Sequence, residues 1–103
     1  MQIELLYFDG CPSWQTALEN LRAALDDLGL QAEVRLLRVG SDEEAVATRF
    51  VGSPTIRLDG EDLFPPTHSE YAMGCRVYVT PEGLRGWPTV EMLRAAIAGR
   101  LSS

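Results

Sequence analysis

The chain contains no lysine. All nine basic residues are arginine, scattered against fifteen acidic residues and a single histidine, for a formal net charge of −6. An acidic chain without a basic stripe is poorly matched to a phosphate backbone, so nucleic acid is excluded as the expected partner. No apolar run approaches the ~20 residues that span a bilayer, which argues against a membrane segment. The start, "MQIELLYF", has no charged n-region, no long h-region and no small-residue cleavage site. It does not read as a signal peptide, and the cytoplasm is the expected compartment, where thiols stay reduced. Cysteine is scarce too: Cys11 and Cys75 are the only two. With His68 they fall short of the roughly four Cys/His ligands of a zinc site, so no metal and no cofactor are expected. There is no internal repeat and no low-complexity stretch.

What is present suits one small domain. The hydrophobic fraction is 46% over 103 residues, enough for a single core without a metal or disulfide framework. Residues 2–8, "QIELLYF", read as a strand ended by Asp9-Gly10. A helix follows, opening near Pro12, a residue tolerated in the first turn because its missing N–H has no partner there. Leu18, Leu21, Leu25 and Leu28 mark its buried face, and Gly29 its stop. Residues 32–39 read as a second strand. Ser41 with Asp42, Glu43 and Glu44 opens a short helix, acids at the positive end of the dipole.

Thr55–Leu58 is a third strand, introduced by Ser53-Pro54 and closed by Asp59-Gly60. Residues 61–74 show no clean period. "CRVYV" reads as a fourth strand, "TPEG" as a turn and "LRGW" as a connection. A final amphipathic helix starts near Pro88, with Val90, Leu93, Ile97 and Leu101 on one face. The order is β-α-β-α-β-β-α: an α/β fold with a parallel βαβ unit, then a hairpin, in a small sheet with helices on both faces.

Cys11 is the most informative residue. It stands where the first strand hands over to the first helix, and the unpaired N–H groups and dipole of that helix favour an anion. The thiolate is the reactive form, and a free thiol with a pKa of about 8.5 is only partly ionised at neutral pH. Asp9 opposes ionisation unless it points away. Trp14 either forms an apolar rim beside the thiol or packs into the core. For Cys75 two placements stay open. A simple hairpin leaves it at the far end of the sheet, whereas residues 61–74 are long enough to fold back and deliver it to Cys11. Arg57 and Arg76 are expected only to pair with acids.

"FDGCPSW" at the first strand–helix junction and "GSPTI" at the third strand resemble the thioredoxin-like superfamily over nearly the whole chain. More narrowly, "FDGCPSW" with "GCRVYVTPEGLRGWPT" resembles a bacterial group of small thioredoxin-like proteins, the DF family, some of which carry selenocysteine at the reactive position. The resemblance implies a four-stranded mixed sheet and a cis proline at Pro54 beside the reactive cysteine. Ser53 and Thr55, with Pro12 and Trp14, then border the substrate. One departure is decisive: where Cys-x-x-Cys would stand, this chain reads Cys11-Pro12-Ser13-Trp14.

The expected function is a thiol-dependent redox protein. Cys11 attacks a disulfide or peroxide, and Cys75 or glutathione resolves the product, with a thioredoxin system as a possible reductant. The competing expectation is a non-catalytic thioredoxin-like module that binds a partner protein or a soft metal such as mercury. Small size and an acidic surface suit a monomer or weak dimer.

Overall fold

Along the first strand, side chains alternate between two faces, and that alternation organises the molecule. The structure, a computed structural model, describes residues 1–66, 71 and 74–102; His68 lies outside them. Strand β1 (Ile3–Tyr7) is central, running parallel to β2 (Val34–Arg38) and antiparallel to β3 (Thr55–Leu58). β4 (Glu61–Asp62) pairs antiparallel with the end of β3. The result is a four-stranded mixed sheet in the order β2-β1-β3-β4.

Helices cover both faces. Ile3 and Leu5 point into the larger core with Ile56, Leu21, Leu93 and Ile97, drawn from β3, α1 (Trp14–Asp27) and α3 (Val90–Leu101). Leu6 points the other way, onto Val39, Phe50 and Ala45 of α2 (Asp42–Thr48). Each fully buried aliphatic side chain contributes about 1.5–3 kcal/mol. Local chemistry fixes the helix ends. Ser41 Oγ accepts from the Glu44 N–H at 3.1 Å, and Thr89 Oγ1 accepts from the Met92 N–H at 3.1 Å. The Arg57 guanidinium donates to the carbonyls of Thr48 and Arg49 at the C-terminal end of α2.

Three details differ from the sequence reading. α1 begins at Trp14 with Ser13 as its N-cap, so Pro12 stands before the helix instead of opening it. The Cys11 N–H donates to the Phe8 carbonyl at 3.1 Å, and this tight turn holds the chain out of helical geometry until Ser13. The fourth strand of the sheet is Glu61–Asp62, not "CRVYV". Asp59 and Gly60 both have positive φ (51° and 86°), as the favoured two-residue hairpin turn requires, and the returning strand takes the free edge of β3. β5 (Tyr78–Thr80) therefore pairs outside the main sheet with β6 (Gly83–Arg85), which was expected to be a mere connection.

Among the described residues no helix is long and apolar enough to cross a membrane.

Candidate functional site

Two non-local backbone hydrogen bonds build the site. The Ser53 N–H donates to the Gly74 carbonyl at 2.8 Å, and the Arg76 N–H donates to the Ser53 carbonyl at 2.9 Å. Together they form an isolated parallel bridge between Ser53 and Cys75. Cys11 reaches the same point from the end of β1, its thiol donating to the Ser53 carbonyl at 3.4 Å. The bridge sets Cys75 opposite Ser53, the residue that also receives the Cys11 thiol. Of the two placements open for Cys75, the second holds: residues 74–76 lie along Ser53 and bring Cys75 to the Cys11 end of the sheet. No disulfide joins the two cysteines.

The two sulfurs are not equivalent. Cys11 is buried, at 1% exposure, whereas Cys75 is exposed. Partial burial, then the charge of Cys11, then the hydrogen bond with Cys11 all push the Cys75 thiol pKa above its ordinary value. Asp9, expected to oppose a thiolate, is turned to Arg38 and ion-paired at 2.6 Å.

The other candidate residues fall into two groups. Ser53, Pro54 and Thr55 are all buried beside the sulfurs, and the Ser53–Pro54 peptide is cis. Their polar groups are largely consumed by the chain itself. Pro54 O accepts from the Tyr78 hydroxyl at 2.6 Å, and Thr55 Oγ1 takes part with Arg76 Nη1 at 3.4 Å. Ser53 Oγ is the exception, buried with no hydrogen-bond partner among the described residues. Pro12, by contrast, is exposed and lies in the turn. Trp14 is half-buried, stacked on Tyr7 with centroids 4.1 Å apart and planes 24° from parallel, and packed against the larger core.

Arg76 pairs with an acid as expected, but its place at the site was not foreseen. It is 9% exposed, pairs with Asp62 Oδ2 at 2.7 Å, donates to the Phe64 carbonyl, and lies 4.7 Å from the centroid of the Tyr78 ring. A buried guanidinium next to Cys75 is held on three sides, so it fixes the backbone that carries the thiol. The available signal was its place directly after the second cysteine and between apolar residues. Beside it, a groove of about 490 Å³ opens on Cys75, walled by Phe64, Val77, Tyr78 and Met92 among others.

No family model, no curated protein and no solved structure matches this chain. Among the described residues no group of three or more Cys, His, Asp or Glu side chains is placed to hold a metal ion. The arrangement places one free cysteine in the interior and one at the surface, both at Ser53.

Proposed function

We propose that this protein is a thiol-dependent redox protein of thioredoxin-like type whose working unit is the Cys11–Cys75 pair. A single observation carries the reading: Cys11 and Cys75, far apart in sequence, both meet at Ser53, one through its thiol on the Ser53 carbonyl and the other through a backbone bridge. A disulfide needs its two Cα atoms within about 7 Å, and cysteines that share Ser53 as a neighbour suit such a closure. The missing Cys-x-x-Cys thiol is then replaced by one delivered from a distant loop. Supporting the fold reading are the mixed sheet, the helices on its two faces and the cis peptide before Pro54. The cycle takes two electrons from the dithiol and passes them to a disulfide or peroxide; glutathione or a thioredoxin system returns them.

The test is intact-mass measurement of the reduced protein after mild exposure to hydrogen peroxide or glutathione disulfide, followed by peptide mapping. Loss of two hydrogens with a Cys11–Cys75 linkage, reversed by dithiothreitol, is the expected result. Oxidation that stops at isolated sulfenic acids or external adducts on both cysteines sinks the redox pair. It would leave the same fold as a binding module.

A further inference from the structure

We propose that the pair exchanges with low-molecular-weight disulfides through the exposed Cys75 sulfur and is closed to protein disulfides, because residues 74–76, latched by Arg76, already occupy the backbone edge beside the thiols. The proposal rests on the redox reading above and adds its substrate class.

The argument begins with access. At 1% exposure, Cys11 offers no surface to an incoming sulfur, while Cys75 does. An extended peptide gains affinity on a sheet edge by pairing its backbone with free N–H and C=O groups. Among the described residues the edge that meets both cysteines is that of Ser53, and Gly74 and Arg76 occupy its N–H and C=O. The next carbonyl along, that of Pro54, is taken by the Tyr78 hydroxyl. The occupying segment is held in turn by the Arg76–Asp62 ion pair. A polypeptide therefore finds no backbone to pair with at Ser53 or at the Pro54 carbonyl. A small disulfide needs none, and the groove of about 490 Å³ on Cys75 falls within the range of small-ligand pockets, about 300–1,000 Å³.

The steps balance as follows. The Cys75 thiol releases its proton to water, and the thiolate attacks one sulfur of RSSR, forming a Cys75–SR bond and expelling RS⁻. Cys11, having lost its own proton, attacks Cys75 Sγ, forming the Cys11–Cys75 bond and expelling the second RS⁻. The two expelled thiolates take up the two protons. The dithiol is oxidised by two electrons, and RSSR is reduced to two RSH.

The experiment compares glutathione disulfide with insulin as substrates of the full chain. Cys11→Ser is expected to accumulate a glutathione adduct on Cys75, while Cys75→Ser is capped at least about tenfold more slowly, as its remaining thiol is inaccessible. With glutathione as reductant, the unaltered protein should not accelerate insulin reduction beyond glutathione alone. Arg76→Met should gain that activity; if it does not fold, Asp62→Asn serves instead. Faster capping of Cys75→Ser than of Cys11→Ser overturns the proposal. So does insulin reduction by the unaltered protein, or no gain in a folded latch variant. A Cys11–Cys75 disulfide formed in any of these outcomes leaves the redox reading standing. If neither substrate produces that disulfide, both readings fall.

Discussion

The carboxylate of Asp62 meets the guanidinium of Arg76 at 2.7 Å, with their side chains only 15% and 8% exposed. One partner closes the four-stranded sheet, and the other follows the exposed thiol. The pair thus joins the fold to the site. Removing one side leaves a buried charge unmatched, which costs about 3–5 kcal/mol. Arg76→Met should therefore lower the urea midpoint strongly. The double change Arg76→Met with Asp62→Leu should recover part of the loss, because an apolar pair leaves no stranded charge. A double variant no more stable than the single one would show that the ion pair is not what Arg76 supplies.

The Cys75 thiol should hold its proton more tightly than an isolated thiol. Iodoacetamide labelling of Cys75, followed against pH, should show a midpoint above its ordinary value of 9.0, and Cys11→Ser should move that midpoint down, since two of its three causes are then gone. The linkage has a definite sign. The unfolded chain loses this proton first, so stability is retained below about pH 9 and falls as pH rises through the folded midpoint. Urea midpoints at pH 8 and pH 10 measure it, and Cys75→Ser should flatten that slope.

Gly52 holds φ at +129°, and a Cβ there would stand 2.9 Å from the Cβ of Arg76. Gly52→Ala meets both a backbone penalty and a collision with the latched segment, together about 1–3 kcal/mol. The segment is the element free to yield. The expected signature is a lower melting temperature accompanied by faster alkylation of Cys11. A stable variant with Cys11 still protected would mean the contact is easily relaxed.

Tyr78 is buried, and its hydroxyl donates to the Pro54 carbonyl at 2.6 Å. Burial raises its phenol pKa far beyond the ordinary value, so it stays a donor at any working pH. Tyr78→Phe strands that carbonyl and should cost about 1–3 kcal/mol. Denaturant unfolding measures it, and a change within error would imply that water replaces the bond.

How much of this was legible in the sequence depended on range. Leu18, Leu21 and Leu25 repeat at helical spacing, and Ile3, Leu5 and Leu6 sit in a short strand bounded by a turn pair, so α1 and β1 could be found locally. Asp59-Gly60 was read as the end of a strand, although that pair is also a strong hairpin signal; taken that way it would have revealed β4. The misplacement of "CRVYV" follows from this. Which strand takes the edge of β3 is a competition, and Glu61–Asp62 arrives first along the chain. The Cys11–Cys75 contact was beyond local pattern altogether. Only the length of residues 61–74 allowed it, and no periodicity marks where a returning loop will land. Arg76 escaped for the same reason, because its value lies in Asp62, Phe64 and Tyr78 meeting it at once.

The bridge from Ser53 to residues 74 and 76 also makes this chain its own competitor. A tethered segment is present at its target at an effective concentration on the order of millimolar. A free polypeptide at micromolar levels therefore starts about a thousandfold behind, a handicap of roughly 4 kcal/mol. Selectivity of the kind proposed would then need no refined recognition of the right molecule. It follows from what is already tied in place.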